Sequence, residues 1–297
     1  MKILLNSYLN FKSNSLMSPI LSNSLAKNTP KTQTNESVQS QDAKTVTFPQ
    51  VSAQYNIQQN KAVLPQEAEM LINSALKADK EIQQLALEAQ KEANKQLGEI
   101  SENYKKGEEI KNNITTRKIT KDNNKETMEE FSPDGKKLLR RSTFINGKID
   151  RIDIDVEKNT DGSEKISKIF YFDEDKLMDY CENCLYRGEQ ALQEGKRLGF
   201  FNNIFCHYIE GRKEIEGDSW KQDKTAIFEN GKIISYEEGS SNLKNGTETI
   251  KRYVRFNDKG EVYKVIFDYN QTTTAQKCFE LKDKGWENIT NERVYLL

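Results

Sequence analysis

The chain has 297 residues, with 45 Lys and Arg against 46 Asp and Glu, 35% hydrophobic and 31% charged residues. The length suits one or two domains, and Leu, Ile, Val and Phe together make up about 23% of it, just above the ~20% below which no packed core is expected. A net charge of −1 excludes a general nucleic-acid binder, and no apolar run approaches the ~18 residues of a membrane span.

Residues 1 to about 62 are rich in Ser, Asn, Gln and Thr and show no sustained periodicity, which predicts a disordered tail. The start, Met1-Lys2-Ile3-Leu4-Leu5, is interrupted by Asn6 and Ser7 too early for a cleavable signal peptide. Both a cytoplasmic chain and one exported without such a signal fit this start.

Residues 63–110 predict one long amphipathic helix. Pro65 suits a first helical position, Glu67 and Glu69 complement the positive helix start, and Lys105-Lys106-Gly107 writes the end. The expected apolar stripe is Leu71, Ala75, Ala78, Ile82, Leu85, Ala89, Ala93, Leu97, Ile100 and Tyr104, with a stutter between Leu85 and Leu97. At 1.5 Å per residue the helix is about 60 Å long, so it either lies across the remaining residues or supports helix-mediated self-association. Its alanines speak against a strong leucine zipper.

From about residue 111 to 297 the period switches to two. Ile152, Ile154 and Val156 alternate with Asp153, Asp155 and Glu157, the pattern of a strand with one wet face. Turn dipeptides recur at Asn146-Gly147, Asp161-Gly162, Asn230-Gly231, Asn245-Gly246 and Lys259-Gly260, and no proline follows Pro133. The fold class is therefore α+β: tail, long helix, then a mainly antiparallel meander of about ten strands. An irregular insertion is expected near 177–223, with a short helix over Glu189 to Arg197.

Four segments share an aromatic–turn–Gly–aliphatic texture: Phe131 to Leu138, Phe144 to Ile149, Phe228 to Ile233 and Phe256 to Val262. Here the chain resembles bacterial β-hairpin repeat proteins of the MORN-like and YD-like kinds, over residues 128–173 and 224–270. The resemblance implies a binding or scaffolding surface rather than catalysis.

Chemistry-bearing residues are few. Cys181-Glu-Asn-Cys184 is a dithiol motif, and with Cys206 and His207 it supplies a formal Cys3His zinc set, Cys278 being a further donor. Adjacent strand residues point to opposite faces, which opposes joint use of Cys206 and His207 for metal or nucleophilic catalysis. Buried thiols, no metal, no cofactor and no catalytic set are the expectation. The carboxylates of Asp153, Asp155 and Glu157 are expected to be solvated. Residues 111–297 carry 22 aromatics, so some tyrosines are expected on an exposed sheet surface. The functional expectation is a non-enzymatic module binding a protein partner through that aromatic-rich surface. The alternatives are an exported effector or toxin with a carboxylate and tyrosine site, and a helix-mediated assembly protein.

Overall fold

The computed structural model describes residues 64–105, 116–215, 219–272, 277–283 and 285–290. The predicted tail lies outside them. Helix α1 runs from Gln66–Lys105, immediately after Pro65, whose carbonyl accepts the amides of Ala68 and Glu69. Fourteen strands follow: β1 (Thr116–Asp122), β2 (Lys125–Phe131), β3 (Leu138–Ile145), β4 (Lys148–Lys158), β5 (Glu164–Asp173), β6 (Lys176–Arg187), β7 (Gln190–Phe201), β8 (Ile204–Glu214), β9 (Trp220–Glu229), β10 (Lys232–Asn242), β11 (Glu248–Phe256), β12 (Val262–Asn270), β13 (Lys277–Lys282) and β14 (Gly285–Asn288). They form one sheet in sequence order, every neighbouring pair antiparallel. The antiparallel α+β meander is as expected, with fourteen strands rather than about ten.

The stretch expected to be irregular is regular. Residues 176–214 are β6, β7 and β8 in mid-sheet, and Glu189 to Arg197 is the turn into β7 and most of β7, not a helix. Cross-strand pairing overrides the weak local helical preference there. Gly188, with a φ of 61°, opens the β6–β7 turn, but the turns on either side, Glu174-Asp175 and Asn202-Asn203, lack glycine. Positive φ angles occur at Asn146-Gly147 (52° and 77°), Glu174-Asp175 (49° and 63°), Asn202-Asn203 (51° and 64°) and Asn230-Gly231 (52° and 76°). Two consecutive positive φ values define the tight hairpin turn that matches strand twist. These four turns are spaced 28 residues apart.

The same interval governs the packing. Phe144, Phe172, Phe200, Phe228 and Phe256 precede the turns along one edge and are all buried, each facing an aliphatic or Phe side chain across its hairpin. One strand position further in, the register joins Met128, Ser142, Ile152, Phe170, Tyr180, Leu198, Tyr208, Ala226, Tyr236, Val254 and Val265 into an unbroken buried row. The next row on this face alternates in charge: Lys168, Glu182, Lys196, Glu210, Lys224, Glu238 and Arg252 are consecutive register partners. Each glutamate accepts a hydrogen bond from the tyrosine two residues before it, Tyr180, Tyr208 and Tyr236. Each also pairs with the cation of the following strand, at 3.8, 3.0 and 2.5 Å.

Helix α1 crosses this face. Glu67 pairs with Lys277 of β13 at 2.7 Å, Gln90 donates to the Asn203 carbonyl at the β7–β8 turn, and Glu99 pairs with Arg140 of β3 at 2.9 Å. The helix therefore runs against the order of the strands. From residue 67 to 99 it rises about 48 Å, and the ten strand steps from β13 to β3 also span about 48 Å. Ala68, Ile72, Ala75, Ile82, Ala86, Ala89, Ala93, Gln96 and Ile100 are buried, with half-buried Asp79 in the one gap, so steps of four and three alternate without the expected stutter; Leu71, beside Ile72, is buried as expected. Ala86 and Gln96 take the places expected for Leu85 and Leu97, which are half-buried. Small Ala86 admits close approach, while Gln96 is drawn in by accepting from Arg140 at 2.9 Å. One heptad advances about 10.5 Å along the helix and one hairpin about 9.6 Å across the sheet, so helix and sheet repeat nearly in step.

Candidate functional site

The opposite face of the sheet collects most of the buried charges among the described residues. Arg141, Asp153, Ile169, Cys181 and Arg197 are successive register partners across β3 to β7, and Arg151, Tyr171, Asp179, Gly199 and His207 form the adjoining row across β4 to β8. Strand alternation places both rows on the face away from α1. Arg141 bonds Asp153 at 2.9 Å and Glu164 at 2.6 Å, and Arg151 bonds Asp153 at 2.6 Å. Arg197 holds Asp179 at 3.0 Å and Glu194 at 3.3 Å, and the other Glu194 oxygen accepts from Arg212 at 3.0 Å. The Arg151 guanidinium lies 5.1 Å from both the Tyr171 and Tyr186 ring centres, and Arg212 stacks 4.0 Å over Trp220. Four guanidiniums thus meet four carboxylates.

Burial shapes the acid–base behaviour of this cluster. For Glu194, 1% exposed, burial alone would raise the pKa, but Arg197 and Arg212 hold the carboxyl below its usual range. Burial pushes His207 down to about 4, with Asp179 and Glu194 opposing and Arg197 and Arg212 reinforcing the shift. The imidazole is therefore neutral at physiological pH. It rests directly on Gly199, where a Cβ would lie 2.0 Å from its Cε1. Only glycine leaves room for the ring.

The sequence-derived zinc candidates fall into two pairs. Cys181 and Cys184 are buried together among Leu138, Val156, Ile166, Ile169 and Tyr186. In an extended strand residues three apart face opposite sides, but Asn183 between them adopts a φ of 54° and brings both thiols into one cluster. Their mutual hydrogen bond, burial and Glu194 raise the Cys181 thiol, so it is protonated and a poor nucleophile or ligand at neutral pH. Cys206 and His207 form the second pair. A register shift between Gly199 and Phe200 sets Cys206 in a bulge, its sulfur 3.9 Å from His207 Nδ1, so the expected separation of these neighbours to opposite faces does not hold. The Cys206 thiol also donates to the Gly199 carbonyl at 3.2 Å. Cys278 is buried apart from both pairs, with Ile250, Tyr253 and Ile266. Among the described residues no three His, Cys, Asp or Glu side chains are grouped to hold a metal ion.

Two other expectations are corrected. Asp153, expected on a wet face, is 2% exposed and bound by two arginines. Tyr180, Tyr186, Tyr208, Tyr236, Tyr253 and Tyr269 are buried rather than displayed, their rings packed among neighbouring side chains. The exposed large apolar residues are instead Met70, Ile145, Phe201, Ile204, Ile215, Leu243 and Leu281.

Sequence reasoning missed the arginines of the cluster, although one signal was present. The chain has 35 Lys and only 10 Arg, and four of those ten lie here. Buried pairing selects the planar, weakly hydrated guanidinium over the ammonium, so scarce arginine marks buried ion pairs.

No family model matches the chain and no curated protein matches it. Among solved structures it is similar, at a TM-score of 0.19 and 12% identity, to a S. aureus TarM mutant in complex with Fondaparinux, alpha-GlcNAc-glycerol and UDP. That likeness covers 45% of this chain and 20% of TarM, and at that score it carries no argument. No helix among the described residues is long and apolar enough to cross a membrane.

Proposed function

We propose that the chain is a non-enzymatic protein-interaction module whose hairpins are copies of one unit of the MORN-like or YD-like kind. The carrying observation is the 28-residue recurrence of turn geometry, Phe position and Tyr–Glu–cation triplet, which sets side chains at even steps of about 4.8 Å across the sheet. Such regularity serves an extended surface, whereas catalysis calls for one unlike place. The polar cluster supports the same reading, since its charges neutralise one another and its histidine is held neutral.

One accessible part of the surface is the alternating-charge row, where Lys196 and Lys224 are 40% and 41% exposed. Affinity capture with the full chain, compared with the variant Lys196→Glu plus Lys224→Glu, tests the proposal. A protein retained by the wild type and lost with the variant is expected; identical captured sets would refute it.

One observation favours an enzyme: burial and the nearby Glu248 push Glu237 up to about 8, so it carries a proton at neutral pH. Should the purified chain consume a metabolite in a cell extract, and Glu237→Gln abolish this, that second reading replaces the first.

A further inference from the structure

The contact between α1 and the sheet is long but poorly fastened. Five of its buried seam positions are alanine, at 68, 75, 86, 89 and 93, and a sixth seam position is Asp79. Burial raises the Asp79 carboxyl, against the Gln83 amide on its own helix, which donates to it at 2.7 Å, and the charge of Lys80. A half-buried carboxylate in a mostly apolar seam weakens the docking it sits in.

Among the described residues three polar contacts stand out as fasteners. Glu67 and Lys277, the pair at the N-terminal end, have side chains 48% and 54% exposed, and such pairs contribute about 0–1 kcal/mol. Gln90 holds the Asn203 carbonyl at mid-length, and Arg140 holds Gln96 and Glu99 near the C-terminal end. The sheet beneath is committed to being covered. Phe170, Tyr180, Phe200, Phe205, Tyr208 and Phe228 are among the buried side chains of the face α1 crosses. Lifting α1 would bare a strip about 48 Å long and about one helix diameter wide, on the order of 500 Å², a size at which apolar surface marks an interaction site.

We infer that α1 is a removable strap occupying a helix-binding groove, and that the groove's other occupant is an amphipathic helix of a partner protein. This rests on the interaction-module reading and names the partner's chemistry. The groove states what that helix must look like. Its bulky rings leave space for small side chains at positions stepping by four and three, over at least thirty residues, and Arg140 and Lys277 at opposite ends ask for an acidic residue near each end of the helix. A helix with these features and an alanine in place of Asp79 fits better than α1 itself.

The test uses a fluorescein-labelled peptide of residues 66–105 as the probe and anisotropy as the readout, with three full-length chains. The wild type is compared with a loosened strap, Glu67→Lys plus Glu99→Lys, and a tightened one, Asp79→Ala. The peptide is expected to bind the loosened chain at least tenfold more tightly than the tightened chain, with the wild type between. Hydrogen exchange confirms that the sheet stays folded in each, and Gln90→Ala replaces the double reversal should that one unfold. Equal affinity for all three chains, or no binding to a folded loosened chain, would overturn the inference. Neither result touches the lysine-row capture experiment, so the strap can fail while the interaction reading stands.

Discussion

His207 offers the sharpest quantitative test of the buried polar face. Its ring lies on Gly199 and is faced by Asp179, Glu194, Arg197, Arg212 and Cys206. Burial lowers its pKa to about 4 in the folded chain, against an ordinary value of about 6.5. The unfolded chain therefore binds the proton first. The stability this group contributes is fully present above about pH 6.5, falls as the pH falls, and is lost once the pH passes about 4. Between pH 7 and pH 5 the loss from this group is about 2 kcal/mol, and the full difference is about 3.4 kcal/mol at 1.36 kcal/mol per pKa unit. Urea unfolding at pH 7 and pH 5 measures it, comparing the wild type with His207→Gln. Other carboxylates titrate in both proteins and largely cancel. The wild type should lose about 2 kcal/mol more than the variant over this interval. Equal losses would mean that His207 is not held neutral by its surroundings, and the account of this face would be wrong.

Further outcomes follow from the same geometry. Gly199→Ala places a methyl on the imidazole and should cost about 1–3 kcal/mol, with the His207 titration seen by NMR moving up toward 6.5 as the ring is expelled. Glu194→Gln leaves Arg197 and Arg212 without their shared carboxylate and should cost about 3–5 kcal/mol in urea unfolding; a loss under 1 kcal/mol would contradict the buried pairing. Asp175→Gly puts glycine where Gly147 and Gly231 stand in the equivalent turns, and relief of its φ of 63° should stabilise by about 1 kcal/mol, read as a raised thermal midpoint. Asn183→Val forces a β-branched residue to a φ of 54° and should destabilise by at least about 1 kcal/mol while parting the Cys181 and Cys184 thiols.

The parts of this structure that announce themselves in the sequence are those set by local chemistry. Pro65, Glu67 and Glu69 mark the start of α1, and Asn146-Gly147 and Asn230-Gly231 mark two of the hairpins. Glu174-Asp175 and Asn202-Asn203 make the same turn with residues that only tolerate it, and the 28-residue spacing was the cue that would have revealed them. β7 is not marked in its own sequence, because its Lys and Glu contacts are made to other strands and its residues look like a polar helix. Asp153 reads as solvated, and the cluster's arginines go unmarked, for a related reason. A charge is read as wet until its partner is known, and several of these partners arrive from neighbouring strands 12 to 23 positions away. The stripe of α1 was legible in outline, but which of Leu85 or Ala86 faces inward depends on ring sizes across the interface.

Groove and proposed partner both depend on the sheet staying open over the eleven strands from β3 to β13, so that α1 can lie across them. Spin labels attached at Arg140→Cys and Lys277→Cys measure that span by double electron–electron resonance, with the three buried native cysteines shielded and Cys206→Ser removing the half-buried one. A distance distribution centred at about 48 Å, the rise of the 32 helical residues that bridge these points, is the predicted result. A distribution centred below about 30 Å would place the two ends of the sheet together and contradict the arrangement.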